Sequence, residues 1–341
     1  MSTASDKAVT FDLRGQLRWA QCSDAPLRAD EIEVAVALST VNPIDAKRRY
    51  GYGRKVFQLK GANTKNLALG NDFVGTVSRI GSSVVDLRPG DRVFGVKPPS
   101  KYGPHALRVV VKRSQALKAN ADLSDELLVT LPYNTCTVLR SFESIGINAT
   151  TAKGKKILVA GVSGGLGSIA LGLLCQWGAE VTAVDRAENH ARCLAQGAQS
   201  ACSDKDLADH QGRFDAVLNF AAWELDSALC RTLRSGAMGY ATTVHPLLTL
   251  LDEKGLAMGA IAALSKRRQC RKSVPKGARY AWALFDLKAG DLELMQNFAL
   301  SARPQPHIGI RAPMPQAHLA FAHVEQARAG RALLINNAHG D

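Results

Sequence analysis

Apolar and polar positions between Lys156 and Asp185 follow a fixed order. Lys156-Ile157-Leu158-Val159-Ala160 is a continuous apolar run of strand length, and Ile169 to Trp177 has the all-round apolar character of a buried helix. Glu180-Val181-Thr182-Ala183-Val184 is a second strand-length run, closed by Asp185. From Lys155 to about Ile261 strands and helices alternate, with Phe214 to Asn219 and Met238 to Thr242 as further strands, which predicts a doubly wound α/β sheet. Upstream the pattern differs. Glu31 to Leu38, Asp72 to Arg79, Arg92 to Val96 and Ala106 to Val111 read as short strands. Turn signals such as Gly81-Ser82-Ser83 and Arg88-Pro89-Gly90-Asp91 separate them, as in a β-rich, barrel-like unit. Ser124 to Ile145 is helical with a break at Pro132. The tail from Gly290 reads as a helix, a proline-rich extended stretch, another helix and a last strand, Ala332 to Asn336. The two halves are expected to share a ligand cleft.

Between the first strand and its helix lies Gly161-Val162-Ser163-Gly164-Gly165-Leu166-Gly167. In such a turn one glycine permits the tight bend, one lets backbone N–H groups approach a pyrophosphate, and one lets the helix pack on the strand. The helix N-terminus adds unpaired donors and partial positive charge. With an acid at the tip of the next strand, these residues predict dinucleotide binding by Gly161, Ser163, Gly164, Gly165, Leu166 and Gly167. Asp185 would accept bonds from the adenosine ribose and repel a 2′-phosphate, so the cofactor is NADH or NADPH with NADH favoured. Arg186 either pairs with a 2′-phosphate or adenine, or is simply solvated. Asn219, Thr242 and Thr243 sit near strand C-termini, the edge where such sheets bind ligands.

The length of 341 residues suggests about two domains, and a hydrophobic fraction of 46% suits sizeable cores. No apolar run reaches membrane-span length. The polar N-terminus lacks a signal-peptide core, so a cytoplasmic location is expected. Seven scattered cysteines (Cys22, Cys136, Cys175, Cys193, Cys202, Cys230, Cys270) without a Cys-x-x-Cys pair read as reduced thiols. The net charge of +13 concentrates at Lys266-Arg267-Arg268-Gln269-Cys270-Arg271-Lys272. No aromatic residue interleaves there, so a solvated basic loop is expected and nucleic acid is not.

The unit order and the local motifs resemble the medium-chain dehydrogenase/reductase superfamily. The likeness is to its zinc-free quinone oxidoreductase branch and, within that, to the reticulon-4-interacting oxidoreductase group. The matching segments include Val41-Asn42-Pro43-Ile44-Asp45 with Gly51-Tyr52-Gly53, and Leu69-Gly70-Asn71-Asp72-Phe73-Val74-Gly75. Pro89-Gly90-Asp91-Arg92-Val93, Leu131-Pro132-Tyr133, Lys276-Gly277 with Tyr280 and Trp282, and Gly330-Arg331 also match. The resemblance implies a GroES-like β-rich catalytic domain (residues 1–124) and a Rossmann doubly wound parallel-sheet domain (125–265). It further implies a C-terminal segment (266–341) that returns to the catalytic domain, and a homodimer. Zinc is not expected, because Asn42 stands where zinc members place a cysteine and Gly70-Asn71-Asp72 where they place Gly-His-Glu.

The implied reaction is hydride transfer from NAD(P)H to a quinone or α,β-unsaturated carbonyl. Alternatives are an enoyl-thioester reductase of secondary metabolism and a cofactor-binding scaffold without turnover. The developing oxyanion needs hydrogen-bond donors and the product a proton. Asn42 is the candidate donor, though an asparagine before Pro43 also suits a plain turn. Asp45 is a candidate for orienting its neighbours, and Lys47 and Tyr52 for supplying a proton. Thr137 lies where the resemblance puts a nicotinamide contact, and it could equally bond its own helix backbone.

Overall fold

The computed structural model describes residues 7–12, 14–21, 26–59, 68–99 and 102–336. Residues 1–6 of the N-terminus and Cys22 lie outside the described residues. The chain is α/β and divides into two compact units, 1–133 with 287–341, and 134–286.

The first unit opens with an antiparallel hairpin, β1 (Lys7–Phe11) and β2 (Leu17–Gln21). There follow β3 (Glu31–Val41), β4 (Asp72–Ile80), β5 (Arg92–Val96), β6 (Arg108–Lys112) and β7 (Ala116–Lys118). The chain then forms the second unit with β8 (Lys156–Ala160), β9 (Glu180–Val184), β10 (Ser200–Cys202), β11 (Ala216–Asn219), β12 (Gly239–Thr242) and β13 (Arg279–Trp282). It returns to the first unit with β14 (Ile308–Pro313) and β15 (Arg331–Ile335).

In the first unit the sheet order is β14-β15-β3-β4-β5-β7, with β6 also paired to β3. β3 is buried along most of its length because β15, β4 and β6 all bond to it. Its Ile32, Val34 and Val36 share a core with Phe73 and Val77 of β4, Val93 of β5 and Phe321 of the Ala317–Glu325 helix. Burial of these apolar side chains holds the sheet closed at about 25 cal/mol per Å².

The second unit is a parallel sheet of order β10-β9-β8-β11-β12-β13, and the order reverses between β8 and β11. The register aligns Ala160 with Val184 and Asn219, and Asn219 with Thr242, so the strand C-termini form one row. Leu158, Val217 and Tyr240, fully buried, form its core.

Three expectations change. The boundary expected at 124/125 falls at 133/134. Residues 266–286, expected with the returning tail, lie in the parallel-sheet unit because β13 pairs with β12. The basic segment is no loop: Lys266 to Arg271 end the helix Leu256–Arg271, where cations oppose the negative end of the helix dipole. Among the described residues no helix is long and apolar enough to cross a membrane.

Candidate functional site

In the first unit a buried polar cluster forms around Asn42. Asn42 is the N-cap of the Pro43–Arg49 helix, with extended φ −97° and ψ 158° and a proline at the first helical position. Its backbone N–H donates to Asp45 Oδ2 at 2.9 Å, half of a capping box. Its side chain is held from both ends. Asn42 Nδ2 donates to Asp72 Oδ2 at 2.7 Å, and Arg331 Nη2 donates to Asn42 Oδ1 at 2.8 Å. The second Nδ2 hydrogen has only Thr40 Oγ1, at 3.4 Å. A cation on the carbonyl end and a carboxylate on the amino end fix which way the amide points.

Asp72 also accepts from Thr40 Oγ1 and from the Tyr133 N–H at 2.6 Å. Burial raises its pKa, against the lowering by these donors and by Arg331. Asp45 is fully buried and accepts Gly70 N–H at 3.1 Å as well as Asn42 N–H. Burial, tempered by Arg48, pushes its carboxyl up to about 6. His105 donates or accepts at Ser39 Oγ through Nδ1 (2.7 Å), and its Nε2 is 3.9 Å from Asp45. Burial and the Arg48 charge bring His105 down to about 3, so it is neutral at physiological pH. Burial raises the Tyr133 phenol above its ordinary range.

Of the four predicted catalytic residues, Asn42 and Asp45 are bonded to each other within this cluster. Lys47 is exposed and Tyr52 half-buried, with the Lys47 ammonium 5.5 Å from the Tyr52 ring centroid. Sequence reasoning gave no role to Asp72, Arg331 or Arg48. A signal was present, since Asp72 stands directly before the apolar Phe73-Val74 and Arg331 opens an otherwise apolar strand. Among the described residues no group of three or more His, Cys, Asp or Glu converges as metal ligands would.

In the second unit the glycine turn follows β8. Gly161 has φ +83°, a left-handed conformation that suits glycine. A Cβ on Gly167 would lie 2.2 Å from Gly161 O, so only glycine lets the helix sit this close to the turn. The helix Gly165–Gln176 is capped by Gly164, which has no side chain to donate or accept. Its first intrahelical bond runs from Ser168 N to Gly164 O. The N–H groups of Gly165, Leu166 and Gly167 therefore have no acceptor among the described residues.

Asp185 grips this turn. Its Oδ2 accepts the Ser163 N–H at 2.7 Å, and its Oδ1 accepts Ser163 Oγ (2.9 Å), Arg186 N (2.9 Å) and Asn189 Nδ2 (2.7 Å). Burial acts to raise its pKa, but these donors outweigh it and hold the carboxyl below its ordinary value. Oδ2, with one partner, keeps acceptor capacity. Arg186 is exposed and pairs with Glu188 at 3.2 Å. Asn189 was not read from the sequence, because its link to Asp185 depends on the turn after β9.

Asn219 spends both amide hydrogens internally, on Ala222 O (2.8 Å) and Tyr240 Oη (2.9 Å), leaving no side-chain donor for a ligand. Thr242 is buried and donates to Asn219 O at 3.2 Å. Thr243 is half-buried on the same edge. Thr137 is buried on the Pro132–Ile145 helix. His245 stacks on Trp282 (centroids 5.0 Å, 8° between planes), and burial brings it down to about 4.

Comparison with known proteins agrees with this architecture. Residues 28–114 match the alcohol dehydrogenase GroES-like domain. The human NAD(P)H oxidoreductase RTN4IP1, mitochondrial, is 28% identical over 324 residues, covering 90% of this chain and 82% of that protein. The quinone oxidoreductase from Coxiella burnetii superposes with a TM-score of 0.80 at 21% identity, covering 97% and 99% of the two chains. The chain is thus similar along most of its length to NAD(P)H oxidoreductases, and it carries the GroES-like domain of the alcohol dehydrogenases at residues 28–114. The CurK enoyl reductase shares this fold too, with a TM-score of 0.79 at 17% identity and coverage of 98% and 100%. The GroES-like sheet and the parallel sheet are separate units, and the chain leaves the first and later returns to it.

Proposed function

We propose that this dehydrogenase/reductase binds NADH or NADPH at the Gly161–Gly167 turn and reduces a quinone or α,β-unsaturated carbonyl without zinc. The observation that carries the reading is the set of three unpartnered N–H groups, of Gly165, Leu166 and Gly167, beside the sheet's switch point. These residues fit a dinucleotide: the three donors are available to an anion, and the missing Gly167 side chain lets the helix that carries them sit against the turn. A bound nicotinamide would supply the hydride.

The remaining work falls to the chain's own groups. The three N–H groups hold the pyrophosphate. Asp185, ionised across the physiological range, keeps one oxygen for a ribose hydroxyl and disfavours a 2′-phosphate, so NADH is favoured. Thr243 and Thr137 are the hydroxyls assigned to the nicotinamide end. On the first unit, Asn42 keeps one weakly used N–H for the substrate oxygen. The Arg331 guanidinium bonded to Asn42 Oδ1 supports the zinc-free reading, since it already sets a positive charge at that oxygen. Lys47 and Tyr52, partly or fully open to solvent, supply the proton. The homodimer belongs to the same proposal, tested by light scattering. A cytoplasmic location gains no support from relatives named mitochondrial.

Calorimetric titration of NADH and NADPH into wild type and Asp185→Ser tests the cofactor assignment. Tighter NADH binding that the variant shifts towards NADPH supports it, and failure to bind either nucleotide rejects it. Turnover with a quinone, an enone and an acyl thioester then separates the acceptors, and no turnover with any of them leaves the scaffold alternative.

A further inference from the structure

The helix Leu256–Arg271 has two unlike faces. Gly259 and Ala263 are buried, and Gly259 packs so closely that a Cβ there would lie 2.5 Å from Leu250 O of the preceding helix. The opposite face carries Met258, Ile261 and Leu264, which are 61%, 60% and 56% exposed. Three large apolar side chains at i, i+3 and i+6 make one continuous outward stripe. One turn further along, Arg268, Arg271 and Lys272 continue that same side, all exposed. From Leu256 to Lys272 there is no Asp or Glu. Arg267 is directed to Tyr280 O, and Lys266 acts on the buried Asp226. Arg268, Arg271 and Lys272 have no carboxylate partner among the described residues.

We propose that this face docks on an anionic lipid surface, with Met258, Ile261 and Leu264 in the boundary between headgroups and acyl chains and Arg268, Arg271 and Lys272 among the headgroups. The helix dipole accounts for cations at the C-terminal end, but not for the exposed apolar stripe that precedes them. A nucleic acid would use the cations and leave the stripe in water. A lipid surface takes both, because its charged layer lies directly above its apolar one. The net charge of +13 adds long-range attraction of the same sign. This inference does not depend on the hydride acceptor.

The test is co-sedimentation of the full chain with vesicles of phosphatidylcholine, with and without phosphatidylglycerol. Binding to the anionic vesicles alone, weakened by salt, is expected. Arg268→Gln, Arg271→Gln and Lys272→Gln together should weaken it about a hundredfold, at roughly fivefold per cation. Met258→Ser with Ile261→Ser should weaken it by at least about tenfold at constant charge. Both variants alter exposed side chains, so thermal midpoint and nicotinamide affinity should match wild type. If the triple variant fails to fold, the serine pair and the salt titration still decide. Absence of binding to anionic vesicles overturns the proposal. So does binding that the serine pair leaves unchanged, which would be attraction by net charge alone. Self-association abolished by the serine pair, without vesicle binding, would assign the face to a second copy instead.

Discussion

Replacing Gly167 by alanine tests whether the approach of helix to turn creates the anion site. The added Cβ would lie 2.2 Å from Gly161 O and 2.6 Å from Val162 Cα, both backbone atoms that cannot swing aside. Ordinary contact needs roughly 1 Å more, so the helix Gly165–Gln176 must retreat from the turn by about that distance. Overpacking of this kind costs about 1–3 kcal/mol, partly offset by alanine's better helix propensity. The thermal midpoint should fall by about 2–8 °C, read by differential scanning calorimetry. The retreat also withdraws the three N–H donors from the ligand. Losing even one hydrogen bond to a charged group, at about 1.5–3 kcal/mol, weakens nucleotide binding more than about tenfold. Gly164→Ala is the control. Gly164 has an ordinary φ of −82° and its added Cβ would stand 3.3 Å from Gly161 O, which a small adjustment relieves. Its cost should stay under about 1 kcal/mol. A Gly167→Ala protein with unchanged midpoint and unchanged nucleotide affinity would refute the reasoning, as would equal damage from both variants.

Asp45, near 3.8 when unfolded and about 6 when folded, makes the native state bind the extra proton. Its contribution is therefore present below about pH 4 and is lost as pH rises through 6, a change of about 3 kcal/mol that Asp45→Asn should remove from the difference between variant and wild-type denaturation curves. His105 has the opposite sign: lowered from 6.5 to about 3, it costs stability as pH falls through that window, and His105→Gln should abolish this slope in the same assay. Asn42→Ala should leave Asp72 and Arg331 without their shared partner, destabilise by about 1–3 kcal/mol, and lower kcat with nucleotide affinity unchanged. Asp185→Ser should weaken both nucleotides as well as shift their ratio, because four donors on the turn lose their acceptor; a shift in ratio with undiminished NADH affinity would show that the grip on the turn is dispensable.

The sequence by itself determined what depends on local period and backbone conformation. Alternating apolar runs named the parallel sheet, short runs between turn signals named the β-rich unit, and β5 lies at Arg92–Val96 where the pattern put it. The glycine turn was legible because its tightest steric demand is set by residues within a few positions, that of Gly161 on Gly167. Tertiary structure decided the rest, since the partners there are distant along the chain. Arg331 reaches Asn42 across 289 positions, and Asp72 reaches it across 30, only because β15 and β4 both pair with β3. That pairing turns a turn asparagine into an oriented amide. β13 was not read as a strand from the sequence, and its place comes from pairing with β12. The basic segment read as a loop because charge hides periodicity, and packing of Gly259 and Ala263 made it a helix. Hydrophobic period is a property of neighbours in sequence, whereas a buried polar cluster is a property of neighbours in space.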